Sequence, residues 1–173
     1  AVTLAVFGNR DFDDALLELN DAAAAAGFKV IASAAPIAEH SMVRSIGAGR
    51  PDAQDQKELA AFAGQVLAKL EKGDDSTPEV PGNRPYKESE NKPWAPVVSE
   101  ACIKCGRCAA ECPVGAIPAD APNTTDANRC IHCMRCTVVC PENARSLAAP
   151  MTQMLTGFLG KVAGGRHDNC FFL

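Results

Sequence analysis

The first seventy residues alternate between short apolar runs and stretches in which apolar residues recur at helical spacing. The runs VTLAVF (residues 2–7) and FKVIASA (residues 28–34) are short and rich in β-forming residues, as buried strands are. Each run is followed by apolar residues three and four positions apart, over residues 15–26 and 53–70, which predicts a helix. The order strand, helix, strand, helix predicts parallel strands with flanking helices, as in α/β proteins.

Capping residues mark where these helices begin and end. Asp52 directly precedes the second predicted helix and Asp11 or Asp13 precedes the first, and aspartate is a preferred N-cap residue. Gly27 follows the first helix, where glycine is favoured. We therefore expect each helix to begin at an aspartate.

This pattern stops at Gly73. Residues 73–96 are rich in proline and charge, which predicts an extended linker stiffened by its prolines. The linker contains Tyr86 and Trp94, the single tyrosine and the single tryptophan of the chain. We interpret them as anchors that hold the linker on the neighbouring domains, in preference to an aromatic binding site.

A last helical pattern follows Pro150. Apolar residues recur at helical spacing over residues 151–162, which predicts an amphipathic helix, and Gly164 and Gly165 end it. The tail at 167–173 ends in two phenylalanines and a leucine. We expect it to return into the fold or to enter a subunit interface.

Between the linker and this helix, one cysteine pattern occurs twice. Each copy reads C-x2-C-x2-C-x3-C-P, and each cysteine of the first copy has a counterpart 28 residues later. This is the bacterial-ferredoxin pattern for a [4Fe–4S] cluster, in which each of four irons binds one soft thiolate. The repeat predicts two [4Fe–4S] clusters and the transfer of single electrons at low potential.

The spacing also predicts which cysteines bind which cluster. Three cysteines three residues apart wrap a loop around one cluster, and the fourth lies beyond the reach of that loop. In two-cluster proteins with this pattern, the fourth cysteine ligates the other cluster. The predicted ligands are Cys102, Cys105, Cys108 and Cys140 for cluster 1, and Cys130, Cys133, Cys136 and Cys112 for cluster 2. Because the ligands cross between the copies, we expect neither half to fold well alone.

Disulfides and zinc are the alternative interpretations of these cysteines. Eight cysteines can pair in an oxidising compartment, but the repeated phrase is not typical of a disulfide framework. Structural zinc sites use widely separated C-x2-C pairs, whereas a third and a fourth cysteine follow at once in both copies here. His132 is interpreted as a neighbour of the ligands, and Cys170 as a free, buried thiol.

The residues around the two copies differ in size. Gly106 and Ala109 accompany the first copy, whereas the larger His132, Met134 and Val138 accompany the second. Apolar cover and hydrogen bonds to sulfur both shift the reduction potential of a cluster. We therefore expect the two clusters to differ in potential.

The net negative charge of the chain indicates which classes of partner it can bind. The formal net charge is −4, and two oxidised clusters with their thiolates add about −4 more. We expect redox partner proteins with basic docking surfaces, association rates that fall with salt, and no nucleic-acid binding. The sequence predicts neither a signal peptide nor a membrane span, and we expect a cytoplasmic location, where thiols stay reduced.

Two strands and two helices are too few to cover both faces of a parallel sheet, so the first segment is expected to be part of a domain. The strand VTLAVF, the loop GNRDFDD, the strand FKVIASA and their helices are similar to the C-terminal half of a flavodoxin. With the phrases VFGNR, AEHS, GRPD and NRPYKE and the cysteine repeat, the chain resembles the flavodoxin–ferredoxin fusion proteins of anaerobes, the EFR1 family.

The resemblance implies an α+β protein overall. A partial flavodoxin-like α/β domain at 1–72 would be joined by a Pro-rich linker at 73–96 to a bacterial 2[4Fe-4S] ferredoxin domain at 97–149, with a helix and tail at 150–173. The expected function is low-potential electron transfer through the two clusters. The alternatives are an FMN-dependent reductase, if the missing flavodoxin half is present, and a ferredoxin-like subunit of a larger redox complex. An oligomer or a second polypeptide would complete the sheet.

A flavin edge is also implied. In flavodoxins the loop after the fourth strand lies along the polar edge of the flavin ring, and its counterparts here are Gly8, Asn9, Arg10 and Asp11. Ligands of open α/β sheets bind at this carboxyl edge of the strands. The sequence does not contain the Ser/Thr- and Gly-rich loop with which flavodoxins bind the FMN phosphate. FMN is therefore expected only if the N-terminal half is supplied.

Overall fold

The computed structural model describes residues 1–88 and 93–173. The chain forms two compact units, the first made of Ala1–Glu88 with Leu159–Leu173 and the second of Ser89–Phe158. Both contain helices and small sheets, which agrees with the predicted α+β class. Part of the predicted linker, residues 89–92, lies outside the described residues.

The sheet of the first unit has three strands in the order β1-β2-β5. β1 (Val2–Leu4) pairs in parallel with β2 (Ala32–Ala35), as predicted. β5 (Cys170–Phe172) runs antiparallel along the other side of β2. The C-terminal tail therefore returns into the fold, and it forms an edge of the sheet.

The two N-terminal strands are shorter than predicted. β1 ends at Leu4, and a single bridge between Phe7 and Ile37 continues the pairing. β2 begins at Ala32, four residues later than predicted, because its ladder with β1 begins there. Phe28, at the predicted start of the strand, is 61% exposed.

Helices α1 (Ala15–Ala25) and α2 (Ala53–Glu71) accompany this sheet. Phe62 and Val66 on α2 are buried, and the Phe62 ring lies 5.0 Å from the ring of Phe171 on β5. The core cluster comprises Ile31, Ala32, Ala34, Phe62 and Val66, with Phe171 packed against it. The tail therefore contributes a side chain to the core as well as a strand.

The two helices begin differently. Asp52 caps α2, as predicted: its carboxylate accepts the Asp55 N–H at 3.1 Å, and the Asp55 carboxylate accepts the Asp52 N–H at 2.8 Å. The prediction that Asp11 or Asp13 caps α1 was wrong. The N-cap residue is Asp14, and its side chain makes no capping bond.

The first part of the predicted linker explains this difference. The Asp14 carboxylate accepts the backbone N–H of Lys87 at 2.7 Å and is therefore not free to cap α1. Arg84 donates two hydrogen bonds to Asp21 on α1, and the Tyr86 hydroxyl donates to the same carboxylate. Tyr86 is thus confirmed as an anchor of this segment.

The second unit is built from short elements. β3 (Val97–Val98) pairs antiparallel with β4 (Arg145–Ser146). Between them lie two helical turns, α3 (Arg107–Ala110) and α4 (Arg135–Val138).

The last helix, α5, comprises Ala149–Val162. It begins two residues earlier than predicted because a proline, here Pro150, is tolerated in the first turn of a helix. Within the described parts of the chain, no helix has the length and apolar character needed to cross a membrane.

Candidate metal centre

The two cysteine loops follow the same backbone course. Lys104 (φ 54°) and Gly106 (φ 77°) of the first loop are left-handed, and so are their counterparts His132 (φ 57°) and Met134 (φ 60°) in the second. Gly106 and Met134 are the N-cap residues of α3 and α4. The sequence repeat is therefore also a repeat of local structure.

Each loop borders a cavity that also receives a cysteine from the other copy. The first cavity is lined by Cys102, Cys105, Cys108 and Cys140. The second cavity is lined by Cys112, Cys130, Cys133 and Cys136. The fourth cysteine of each copy thus lies at the cavity formed by the other copy's loop.

Backbone N–H groups point at the exchanged cysteines. The N–H of Ala116 donates to Cys112 Sγ at 3.3 Å, and the N–H of Ala144 donates to Cys140 Sγ at 3.2 Å. Hydrogen bonds of this kind stabilise a thiolate and raise the reduction potential of a cluster that the thiolate binds.

The Cys112 thiol shows the effect of such groups most clearly. Burial alone would raise the pKa of Cys112, but hydrogen bonds from nearby backbone N–H groups outweigh it, and the pKa falls below its ordinary value. At Cys136, by contrast, burial raises the pKa of the thiol.

A buried arginine lies beside the first cavity. Arg145 is 3% exposed, its Nη1 donates to Thr125 Oγ1 at 2.8 Å, and its Nη2 donates to the Thr124 carbonyl at 3.0 Å. Its Nε is the one buried side-chain nitrogen or oxygen without a hydrogen-bond partner in residues 1–88 and 93–173. An unpaired, positively charged N–H beside four cysteines fits a negatively charged group in that cavity.

The cysteines are arranged unlike a disulfide framework or a single-ion site. All nine lie in the described part of the chain, and all nine are free. Among the described residues, no three His, Cys, Asp or Glu side chains are close enough together to hold one metal ion. A zinc ion needs such a compact set. Four cysteines spread around a cavity instead suit a cluster in which each thiolate binds a different iron.

His132 does not border either cavity. Its ring stacks on Trp94 with a centroid distance of 3.9 Å and an interplanar angle of 4°. Its Nε2 lies 3.0 Å from the Trp94 carbonyl oxygen. Trp94 is therefore confirmed as an anchor, although no sequence pattern indicated that His132 would be its partner.

Asn9, one of the four flavin-edge candidates, is buried within the first unit. It is 0% exposed, and its Nδ2 donates to the carbonyls of Ala163 at 2.8 Å and Gly165 at 3.0 Å. Its Oδ1 accepts the His167 N–H at 3.3 Å. The amide of Asn9 thus holds the segment that leads to β5.

The other three candidates also contact the chain itself. A Cβ on Gly8 would lie 2.8 Å from His40 Cδ2, so only glycine fits there. Arg10 pairs with Asp13 at 3.1 Å, and the Asp11 carboxylate accepts the Asp13 N–H at 3.0 Å. Arg10 and Asp11 are exposed at the surface of this loop.

Sequence reasoning missed a buried ion pair between Arg50 of the GRPD phrase and Asp55 of α2. Arg50 Nε donates to Asp55 Oδ2 at 2.9 Å, and both side chains are almost fully buried. Arg166 at 3.0 Å and Asn169 at 2.9 Å also donate to Asp55. The hydrogen bonds from Arg50, and after them those from the Asp52 backbone and Asn169, outweigh burial and hold the pKa of Asp55 far below its ordinary value.

Comparison with known proteins bears on the cysteine-rich segment. Residues 101–144 match the family model of a 4Fe-4S dicluster domain, a range that includes both copies of the cysteine pattern. Searches among curated proteins and among solved structures gave no match. Residues 101–144 therefore resemble a ferredoxin-like iron–sulfur domain, and a 4Fe-4S dicluster domain suggests electron transfer.

Proposed function

We propose that this protein relays single electrons through two [4Fe–4S] clusters held by its second unit. The observation that carries the proposal is the pair of cavities, each lined by three cysteines of one copy and the fourth of the other. When bound, such a cluster supplies a centre that gains or loses one electron at low potential.

The proposed ligands are the cysteines that line each cavity. Cluster 1 would be held by Cys102, Cys105, Cys108 and Cys140, and cluster 2 by Cys112, Cys130, Cys133 and Cys136. Support comes from the unpaired Nε of Arg145 and from the N–H groups that donate to Cys112 and Cys140. These groups are fixed by the fold before any electron arrives, so they stabilise added negative charge without rearrangement.

The charges around the two cavities predict that the clusters differ in potential. Lys104 and Arg145 border the first cavity together with one acid, Glu142. Arg135 borders the second and is paired with Glu111 at 2.7 Å. Because positive charge favours the reduced, more negative state, we expect cluster 1 to have the higher potential.

Chemical analysis with spectroscopy tests the proposal. Protein reconstituted anaerobically with iron and sulfide should contain about eight iron and about eight labile sulfide atoms per chain. Two one-electron steps should appear in an EPR-monitored redox titration. Half this content, or metal without labile sulfide, would contradict two clusters.

The exposed edge of β1 favours a second proposal, in which another polypeptide segment pairs with β1 and completes the sheet. Within the described residues β1 pairs only with β2, and Val2, Leu4 and Val6 are 45%, 51% and 64% exposed. An apolar, unpaired edge strand is a template for another strand. If that segment binds a flavin, the proposed contacts of the flavin edge are Gly8, Asn9, Arg10 and Asp11.

Light scattering and flavin analysis of the purified protein address this second candidate. An oligomer or complex that is lost in Leu4→Lys would support pairing along β1, and bound FMN would support the reductase alternative. A monomer without flavin, unchanged by Leu4→Lys, would leave electron transfer through the clusters as the function of the chain.

A further inference from the structure

The two cysteine loops carry different amounts of backbone strain. The first loop has one left-handed residue with a side chain, Lys104 (φ 54°), because Gly106 (φ 77°) adopts this conformation readily. The second loop has two, His132 (φ 57°) and Met134 (φ 60°). Side chains other than glycine disfavour the left-handed region, so the second loop needs more support from its surroundings.

Each strained residue of the second loop has an identifiable support. Met134 is 4% exposed and borders the second cavity, so burial holds it. His132 is held by Trp94, through a ring stack at 3.9 Å and a polar contact of 3.0 Å to the Trp94 carbonyl. Lys104, the counterpart of His132, is exposed.

The segment that carries Trp94 also reaches the second cavity directly. Pro96 is buried and lines that cavity, and the β3 strand that follows pairs with β4. Trp94 is therefore fixed on its C-terminal side by the second unit. His132 immediately precedes Cys133, so a change at His132 would be passed to a cysteine of the cavity.

We propose that Trp94 is a positioning residue for cluster 2. By stacking on His132 it holds the loop of Cys130, Cys133 and Cys136 in the conformation that retains the cluster. Trp94 contacts His132 of the second loop, so loss of Trp94 should weaken cluster 2 alone. This inference rests on the proposed function, because it assumes that the second cavity holds a cluster.

Iron release to a chelator tests the selectivity of the effect. Cys140→Ala removes a ligand of cluster 1 and leaves the second set complete, whereas Cys112→Ala does the reverse. Adding Trp94→Ala should speed iron release about twofold to tenfold in the Cys140→Ala chain, the size expected from the loss of one aromatic stack, because the Trp94 carbonyl that contacts His132 belongs to the backbone and is retained. In the Cys112→Ala chain release should be unchanged. Equal acceleration in both chains, or none in either, would overturn the proposal.

Two further variants distinguish the loss of the Trp94–His132 stack from a general folding defect. Trp94→Phe keeps a ring over His132 and should release iron nearly as slowly as the parent chain. His132→Gly removes the need for support at this position, so Trp94→Ala should have little further effect in that background. If the two substitutions act additively, the contact with His132 is not the cause.

A measurement on cluster-free protein separates failure of this inference from failure of the proposed function. Trp94 is the only tryptophan, so its emission reports on the stack without any cluster. His132→Gly should change the intensity and wavelength of this emission, and unchanged emission would show that the rings do not stack. If wild-type protein binds no iron–sulfur cluster, the proposed function fails whatever the emission shows.

Discussion

At the scale of single residues, Cys112 and Cys140 join the two copies of the repeat. Each belongs to one copy by sequence and borders the cavity of the other by position. A cluster in either cavity would therefore connect both copies. We therefore expect both clusters to stabilise the second unit, and the loss of either ligand set to destabilise it.

We expect Arg145 to raise the reduction potential of cluster 1. Its guanidinium is buried beside the first cavity with Nε unpaired. Arg145→Met should lower the potential of cluster 1, by about 60 mV if the lost interaction is about 1.4 kcal/mol. An EPR-monitored titration measures the shift.

A matched control for Arg145 exists in the second loop. Arg135 is exposed and already paired with Glu111. Arg135→Met should therefore shift the potential of cluster 2 much less, because an exposed pair contributes little. Equal shifts from both substitutions would argue against a special role for the buried charge.

At the scale of elements, the tail and the start of α2 form one network in the first unit. Arg50, Arg166 and Asn169 all donate to Asp55, and β5 follows directly. Arg50→Ala would leave Asp55 buried with fewer partners, so it should cost about 3–5 kcal/mol of stability. Hydrogen exchange of the amides in β2 and β5 would report the loss.

An exposed ion pair of the same unit provides the control for Arg50. Arg44 pairs with Glu39, and the Arg44 side chain is 69% exposed. Arg44→Ala should cost no more than about 1 kcal/mol. If the two substitutions had equal effects, the buried network would not be what holds the tail.

The same network predicts a loss of stability in acid. The pKa of Asp55 is far below its ordinary value of 3.8, chiefly because Arg50 donates hydrogen bonds to it. A depressed carboxyl pKa stabilises the fold at neutral pH, and this contribution begins to fall below about pH 4 and is lost as the pH approaches the folded-state value. Asp55→Asn should flatten this part of the stability–pH curve, and an unchanged curve would contradict the assignment.

At the scale of the whole molecule, both units are expected to carry negative charge once the clusters are bound. Residues 89–158 contain six acidic and six basic residues, so the formal net charge of −4 comes from the remainder of the chain. Two oxidised clusters with their thiolates would add about −4 to residues 89–158, so the prediction of partners with basic docking surfaces applies to both units. Electron exchange that slows with salt would agree with it, and exchange insensitive to salt would not.

The sequence predicted the parts of the fold that depend on local pattern. The parallel pairing of β1 and β2, helix α2 with its cap Asp52, and the return of the tail all follow from apolar spacing and a capping residue. The predicted cap of α1 was wrong: the N-cap residue is Asp14, and its carboxylate accepts the backbone N–H of Lys87, far along the chain.

Contacts between residues distant in sequence explain what could not be predicted. The Trp94–His132 stack joins residues 38 positions apart, and the Asp55–Asn169 bond joins residues 114 positions apart. No periodic pattern marks such pairs. The crossing of Cys112 and Cys140 between the ligand sets was predicted from the reach of a three-cysteine loop, and it stays a prediction until the clusters are examined.

Methyl NMR can show whether the two clusters are bound by ligand sets that cross between the copies of the repeat. Ile103 borders the first cavity and its counterpart Ile131 borders the second, so a reduced, paramagnetic cluster should broaden the nearer methyl signal. With crossed ligand sets, the Ile103 signal should stay broad and the Ile131 signal become sharp in Cys112→Ala, and the reverse should hold in Cys140→Ala. If Cys112→Ala sharpened Ile103 and left Ile131 broadened, each copy would bind its own cluster, and the ligand sets would not cross.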